Sequence, residues 1–281
     1  RYEHISSEHS YSNFFPNISL ATQIGKFQTQ LSYTTKIKRP FYNQLSSNMR
    51  YMNRFTYMSG NPDLKPETIH DLTLSGSYKW LQFMISYQRE KDAILYITEQ
   101  YKKNPAITTV THRNFNRIDN FSAFLTASPA VGSWHPQLTV GVQKQWAKIE
   151  HNGETLQMDT PLFFCTLNNG IQLPYHWTLS TDINFQSKGD YQNIYMYQNV
   201  FMMNATLTKS FLNEHLSIHL QGIDLTHGRK DGNRIYNKHM NMDVANVSDS
   251  RELRFTIRYK FNTAKSKYKG KGAATEEIKR L

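Results

Sequence analysis

Histidines, acids and the single cysteine are the residues of this sequence that could hold a metal ion or perform catalysis. His215 and His219 lie four positions apart in a segment that alternates like a β-strand. Both then face one side, about 13 Å apart, which is too far to share an ion. His4 and His9 fall on opposite faces of their segment, and Cys165 is the only cysteine. We therefore expect no metal site, no intramolecular disulfide and no cysteine-based zinc site.

The short motifs of common catalytic centres are absent from the sequence. It has no Gly-x-Ser-x-Gly, no phosphate-binding loop and no zinc-ligand spacing. If the strands described below close into a barrel, four charged residues lie on its lumen side or at its rim: Asp182, Asp224, Glu252 and Arg254. We interpret them as charges that pair with each other or bind water, and not as acid–base catalysts. The expected protein is not an enzyme and carries no cofactor.

Two polar segments rich in tyrosine supply the candidate substrate contacts. Aromatic rings and amides suit the faces and hydroxyls of sugars, and binding residues concentrate in loops on rigid scaffolds. The candidates are Tyr191, Asn193, Tyr195 and Tyr197 in one segment, and Tyr42, Tyr51, Arg54 and Tyr57 in the other. The alternative interpretation is that these side chains only pack the loops together.

Composition narrows the class of protein. The 281 residues carry a formal net charge of +11 and are 13% aromatic, yet the mean hydropathy is −0.64. The sequence contains no run of about 20 apolar residues, so it predicts no transmembrane helix. The dense basic run from Lys265 to Lys271 is interpreted as a solvated tail and not as a nucleic-acid-binding arm.

Alternation of apolar and polar residues with a period of two recurs along most of the chain. In the last copy one face is apolar and the other nearly all charged: Leu253, Phe255, Ile257, Tyr259 and Phe261 alternate with Glu252, Arg254, Thr256, Arg258 and Lys260. Further copies occupy residues 27–37, 72–80, 138–146, 163–173, 177–185, 201–211 and 216–220. Segments of roughly 10 to 15 residues exceed the usual length of soluble strands and suit tilted membrane crossings. Alternation alone fits both a membrane barrel and a soluble sandwich.

The connections between these segments alternate strictly between short and long. Short ones lie near residues 25–26, 79–81, 130–135, 174–175 and 212–215, and long polar ones at 38–67, 89–119, 148–160, 187–197 and 226–251. Outer-membrane barrels have this sidedness, with tight periplasmic turns and extended extracellular loops. Aromatic residues beside the short turns predict an interfacial girdle formed by Tyr78, Trp80, Trp134, Tyr175, Trp177 and Phe211. We count about twelve crossings, from residues 1–10 to residues 251–261.

Specific residues then resemble a known family. A strand ending in Arg39-Pro40 is followed by a loop that returns through Gly60-Asn61-Pro62-Asp-Leu64-Lys65-Pro66-Glu67. This pattern resembles the TonB-dependent receptor barrel and, more narrowly, the Bacteroidota outer-membrane β-barrel family. The segments Gly222–Leu225 and Tyr259–Tyr268 are similar to it as well. Because the two prolines exclude regular strand pairing and the glycine permits a tight turn, we assign the motif a structural role.

The resemblance implies an all-β fold, a transmembrane antiparallel β-barrel of about 22 strands around a plug. This chain would supply about twelve of those strands, with residues 1–262 as the C-terminal part of the barrel and 263–281 as a polar periplasmic tail. About twenty residues follow Phe261, whereas such barrels commonly end at the terminal aromatic. The open edges predicted for this piece by itself cannot sit in lipid.

The implied function is energy-coupled uptake of an unidentified extracellular nutrient across the outer membrane. The implied partners are membrane lipid and a TonB-type energy transducer acting through a missing N-terminal part, and whether a surface lipoprotein caps the barrel stays open. No nucleic-acid partner is expected. Two alternatives stay open: a porin-like or structural barrel without energy coupling, and a soluble β-sandwich binding module.

Overall fold

The computed structural model describes residues 14–101, 103–151, 153–236 and 241–261. In chain order the elements are β1 (Asn17–Ile24), β2 (Phe27–Lys38), α1 (Tyr42–Leu45), β3 (Arg50–Asn53), β4 (Thr56–Met58), β5 (Glu67–Tyr78), β6 (Leu81–Tyr101), β7 (Asn104–Ala127), β8 (Trp134–His151), β9 (Glu154–Met158), β10 (Leu162–Leu173), β11 (Trp177–Gln186), β12 (Gly189–Tyr191), β13 (Ile194–Met196), β14 (Val200–Phe211), β15 (Leu216–Ile223), β16 (Lys230–Tyr236), β17 (Asn241–Val247) and β18 (Glu252–Tyr259). Within these ranges no helix is long and apolar enough to cross a membrane.

Eleven strands form one continuous antiparallel wall. Their order is β1-β2-β5-β6-β7-β8-β10-β11-β14-β15-β18, so each strand pairs with the next principal strand along the chain. The described residues contain no pairing between β1 and β18, so the sheet has two open edges. The all-β prediction of a partial barrel wall is confirmed. The predicted crossing at residues 1–10 and the tail at 263–281 lie outside the described residues.

All the tight connections lie at one end of this wall. They occupy residues 25–26, 79–80, 128–133, 174–176 and 212–215, and the register places these five turns at the same end. Gly25 adopts a φ of 60°, a left-handed conformation that glycine tolerates without strain. We call this the turn end, and the opposite end, with the long connections, the loop end. The predicted sidedness is confirmed.

The long connection predicted at residues 89–119 is a two-stranded ribbon instead of an irregular loop. β6 is 21 residues long and β7 is 24, and their pairing continues far beyond the wall to Tyr101 and Asn104. Strand pairing persists because this stretch keeps enough apolar residues to bury a face of its own. A second sheet, β12-β13-β16-β17, forms from two of the other predicted loops, residues 187–197 and 226–251.

The wall has two chemically different faces. Leu31, Leu74, Ile85, Ala123 and Val142 lie side by side across five adjacent strands. Leu31, Leu74 and Ile85 in this row are exposed, as expected for side chains that meet lipid. We call this the outward face.

The opposite, inner face is polar along the same strands. Gln30 on β2 and Ser75 on β5 are cross-strand partners on it, as are Asn120 on β7 and Gln145 on β8. The side chain of Gln145 reaches the second sheet, which identifies this face as the lumen side. The period of two therefore separates a lipid side from a lumen side along the whole wall.

The buried apolar core lies at the loop end, outside the membrane crossing. It consists of Ala93, Leu95, Ile118, Ala147, Ile149 and Met158, against which Phe115, Leu156, Tyr195 and Tyr236 pack. The second sheet thus covers the ribbon, because Tyr195 belongs to β13 and Tyr236 to β16. We call this second sheet, β12-β13-β16-β17, the cap; it lies at the loop end of the wall.

A left-handed residue marks the point where the ribbon leaves the wall. Asp92 has a φ of 55°, and its carbonyl accepts a hydrogen bond from Asn114 Nδ2 at 2.7 Å. Before it, Lys91 is exposed on the outward face; after it, Ala93 and Leu95 are buried. Before Asp92, the odd-numbered side chains of β6 lie on the outward face. After Asp92, the odd-numbered side chains are buried against the core.

Candidate functional site

The Gly60–Glu67 motif fastens the first long loop. Gly60 N donates to Ser46 O at 2.8 Å, and Asn61 N donates to Gln44 O at 2.6 Å. A Cβ at Gly60 would lie 2.5 Å from both carbonyl oxygens, so no larger residue fits this turn. Asn61 Nδ2 also donates to His112 O on β7 at 3.1 Å.

The end of the same motif joins the loop to the ribbon. Lys65 N donates to Asn114 Oδ1 at 2.8 Å, and Asn114 Nδ2 returns a bond to Lys65 O at 2.9 Å. Leu64 is buried next to this pair, and Pro62 is exposed. Glu67 is buried at the start of β5, where it accepts from Lys38 Nζ at 3.3 Å.

The loop between β2 and β5 begins at the predicted Arg39-Pro40 pair. Arg39 and Pro40 follow β2 directly and precede α1, and the Arg39 side chain is exposed. The loop therefore leaves the wall at Arg39-Pro40 and returns through a segment tied to β7. We call this loop, between β2 and β5, the platform, because hydrogen bonds to β7 hold it next to the ribbon.

The first predicted contact group lies on this platform. The Tyr57 ring contacts the Tyr101 ring edge-on at 5.4 Å and the Tyr51 ring at 6.2 Å. Arg54 Cζ lies 4.8 Å from the centre of the Phe55 ring. Tyr42, Tyr51 and Arg54 are the exposed members of the group, whereas Tyr57 is partly buried.

The second predicted contact group belongs to the cap. Asn193 is 1% exposed, and its Nδ2 donates to Tyr96 O at 2.7 Å and to Tyr236 O at 3.2 Å. Tyr195 packs against the buried core. These two side chains join the cap to the ribbon.

Tyr197 and Tyr191 differ in their surroundings. The Tyr197 ring lies over Gly232, where a Cβ would come within 2.5 Å of its Cε2. Tyr191, in contrast, is exposed. The substrate role of both groups stays a prediction, and Tyr42, Tyr51, Arg54 and Tyr191 are the members exposed to solvent.

Sequence reasoning missed the polar residues that hold the cap in place. Gln145 is buried on the inner face; its Nε2 donates to Gln192 O at 2.8 Å, and Gln192 N donates back to its Oε1 at 2.6 Å. Asp190 N donates to Thr160 O at 2.9 Å, and Thr160 N donates to Asp190 Oδ2 at 2.8 Å. In the sequence, Gln145 looks like any other inward-facing polar residue, so no local signal identifies it.

Asp224 closes the last long connection at the end of β15. Its carboxylate is buried and accepts from Gly228 N at 2.8 Å, from Arg229 N at 3.1 Å and from the Ser250 hydroxyl. Burial acts to raise the pKa of Asp224, but these hydrogen bonds outweigh it and lower the pKa. The carboxylate therefore serves as the hydrogen-bond acceptor for the connection that follows β15.

The other charged residues predicted for the lumen side or the rim are Glu252, Arg254 and Asp182. Arg254 binds Glu252 through two contacts of 2.9 and 3.0 Å, and both side chains are about half exposed. Asp182 lies on the inner face, paired across strands with Asn168 and Asn204.

Two histidines, His219 and His112, lie within strands and contact neighbouring side chains. His219 contacts the Thr208 hydroxyl at 3.0 Å and the Ser217 hydroxyl at 2.9 Å, one ring nitrogen each. His112 is buried under the Tyr96 ring at 4.2 Å, without a hydrogen-bond partner for either nitrogen, and burial lowers its pKa. Among the described residues no group of three ligating side chains could hold a metal ion.

Comparison with known proteins places this geometry in a family. A sequence model of the outer membrane protein beta-barrel family matches residues 2–259. No curated protein matches the sequence. Assignment to Bacteroidota stays a prediction.

Solved outer-membrane receptors share the fold at low sequence identity. The siderophore receptor PirA from Pseudomonas aeruginosa is 15% identical, with a TM-score of 0.55 over 87% of this chain and 41% of its own. The pyoverdine receptor FpvA from the same organism is 13% identical, with a TM-score of 0.56 over 88% and 36%. The transporter YddB from Escherichia coli is 12% identical, with a TM-score of 0.53 over 84% and 39%.

This chain spans about two fifths of the length of those structures. Identities of 12–15% relate the fold alone. With a wall of alternating strands, tight turns at one end, and a family match over nearly its whole length, the chain belongs to the outer membrane protein beta-barrel family and forms part of a receptor-like barrel in the outer membrane.

Proposed function

We propose that the full-length protein is a TonB-dependent receptor that imports an extracellular nutrient by energy-coupled transport. The observation that carries the proposal is the ordered cap and platform at the loop end of a receptor-like wall. A passive pore needs no buried core above the membrane, whereas a receptor needs loops that hold a binding surface in place. The proposed role is binding and passage, with no catalytic step.

Three exposed tyrosines give the proposed binding surface its chemistry. Tyr42 and Tyr51 lie on the platform and Tyr191 on the cap, and all three present exposed rings. Aromatic rings supply large contact areas with few rotatable bonds. PirA is named as a siderophore receptor and FpvA as a pyoverdine receptor, which makes ferric siderophores the first compounds to test.

Uptake by the native host tests energy coupling. A deletion strain is grown on ferric siderophores, cobalamin or oligosaccharides as the sole source of iron, cobalamin or carbon, and then complemented with the full-length protein. We expect a growth defect on one class, restored by complementation, and uptake that a protonophore abolishes. Uptake that survives the protonophore, together with swelling of liposomes that contain the protein, would identify a passive barrel.

Point variants test the binding surface separately. Tyr51→Ser and Tyr191→Ser are expected to lower the apparent affinity for the imported compound by roughly tenfold each, the loss typical of an interfacial aromatic. Tyr259→Ser, on the outward face at the turn end, is the matched control and leaves affinity unchanged. Equal affinity in all three variants would exclude the proposed tyrosines.

A further inference from the structure

A buried histidine without hydrogen-bond partners lies where the platform meets the ribbon. His112 belongs to the ribbon part of β7 and is 6% exposed. Neither of its ring nitrogens has a hydrogen-bond partner among the residues that the structure describes. Because buried polar side chains in folded proteins are nearly always hydrogen-bonded, this ring occupies an unusual position that calls for a physical reason.

The side chains around the ring offer it no counter-charge. Strand pairing places five neighbours on the same face of the ribbon as His112, none of them charged at neutral pH: Ile94, Tyr96, Thr98, Val110 and Asn114. The Tyr96 ring packs against the His112 ring, with 4.2 Å between the two centroids. The pocket of the ring is therefore closed by apolar and uncharged groups.

The charged residues of the surrounding elements do not pair with His112 either. They are Arg50, Asp63 and Lys65 on the platform, Glu67 on β5 with its partner Lys38, Asp92 on β6, and the pair Glu99–Arg113 on the opposite face of the ribbon. Within the described part of the chain no carboxylate forms an ion pair with the ring. A proton added to His112 would place an uncompensated positive charge in a buried position.

The backbone of the same residue helps to fasten the platform. Asn61 Nδ2 donates to His112 O at 3.1 Å. Two residues further along β7, the Asn114 side chain exchanges two hydrogen bonds with the Lys65 backbone, at 2.8 and 2.9 Å. The ring therefore lies next to the contacts that hold the platform on the ribbon.

The remaining attachment of the platform to β7 is short. β4 runs parallel to β7 for three residue pairs. Thr108 N donates to Phe55 O at 2.8 Å, and Ser59 N donates to Val110 O at 3.0 Å. Parallel pairing is slightly less stable per residue than antiparallel pairing, and segments with few backbone bonds open locally while the rest of a protein stays folded. The platform can thus separate from β7 without unfolding the wall.

We propose that His112 is a pH-sensitive latch, whose protonation releases the platform from the edge of β7. In the attached state the ring is enclosed and a proton on it lacks a counter-charge. In the released state water reaches both nitrogens, so the ring takes up a proton as an ordinary histidine does. Tyr42 and Tyr51 move with the platform, and their position relative to Tyr191 on the cap therefore depends on pH.

The direction of the pH effect follows from the two states of the ring. Burial lowers the pKa of His112 in the attached state below its ordinary value of 6.5. Release is then coupled to proton uptake, so the ratio of released to attached platform rises as the pH falls below 6.5. For a ring that binds no proton while attached, the rise between pH 7.5 and pH 5.5 is about tenfold, which is the upper limit.

Hydrogen exchange of the full-length protein in detergent, corrected for intrinsic rates, tests the latch. We expect the protection of the Ser59, Lys65 and Thr108 amides to fall roughly three- to tenfold between pH 7.5 and pH 5.5. The cap amides of Asp190 and Gln192 should keep their protection, since their acceptors lie outside the joint. Constant protection of the joint, or an equal loss in the joint and the cap, would overturn the proposal. Because no ligand is used, the outcome is independent of the proposed transport function.

Two variants remove the titrating group in different ways. His112→Phe keeps a ring against Tyr96, and His112→Gln keeps a neutral polar side chain; in both, protection of the joint should no longer change with pH. His176→Phe, at an exposed histidine of the turn end, is the matched control and should show the wild-type loss. Heat-modifiable gel mobility verifies that each variant is folded. A pH response that persists in a folded His112 variant would contradict the latch.

Discussion

The strands β6, β7 and β8 and the paired strands β15 and β18 are built from the same alternating pattern but end in different environments. Leu95 and Ile118, in the first region, are each 1% exposed, whereas Leu253 and Phe255, in the second, are 76% and 62% exposed. Alternation therefore identifies a strand and its two faces, but it does not identify what covers the apolar face. Lipid covers it in one region and protein in the other.

Strand length explains the difference. A tilted crossing needs about 9 to 11 residues, and β15 and β18 have 8 each. β6 and β7, with 21 and 24 residues, reach well into water. Apolar residues beyond the membrane must be buried by protein, and the second sheet supplies that cover.

Truncating the ribbon core should have the largest effect on this comparison. Leu95→Ala removes a fully buried side chain and leaves a cavity, so the ribbon should lose about 3 kcal/mol of local stability. Leu253→Ala, on the outward face, should cost about 1–2 kcal/mol, because fluid lipid fills the space and no cavity remains. Hydrogen exchange of ribbon amides and of β18 amides measures the two losses, and equal losses would remove the distinction between the regions.

Removing Asp224 should have the next largest effect, at the loop end of the second region. Asp224→Ala leaves the Gly228 and Arg229 amides without their acceptor, at an expected cost of about 2 kcal/mol to the connection that follows β15. Limited proteolysis between residues 225 and 250 should accelerate accordingly. Glu252→Ala is the control, since its exposed pair with Arg254 contributes under about 1 kcal/mol. Equal proteolysis of both variants would show that Asp224 does not close the connection.

A change of pH near 6.5 should affect the ribbon through His112. Burial lowers the pKa of His112 below its ordinary value of 6.5, so the unfolded ribbon takes up a proton before the folded one does. The contribution of His112 to ribbon stability is then constant above pH 6.5 and falls as the pH drops below it. His112→Phe keeps the ring contact with Tyr96 and should abolish this dependence. His176→Phe, an exposed turn residue, should preserve it, as seen by hydrogen exchange corrected for intrinsic rates.

The sequence by itself determined the strands, their faces and the sidedness of the wall. These properties depend on which residues neighbour each other: apolar and polar side chains at a period of two, and short or long stretches between them. The turns at residues 25–26 and 212–215 were predictable for this reason. The family resemblance through residues 60–67 was readable because that motif is local as well.

Only the tertiary structure decided how the loop end is organised. Gln145 binds Gln192 at a separation of 47 residues, and Asn193 binds Tyr96 at a separation of 97. Arg89 meets Asp119 because the ribbon's register places them opposite each other. Such contacts depend on long-range pairing and on the docking of one sheet on another, which no local pattern encodes. Tyrosines that look alike in the sequence are for the same reason divided into buried anchors and exposed rings.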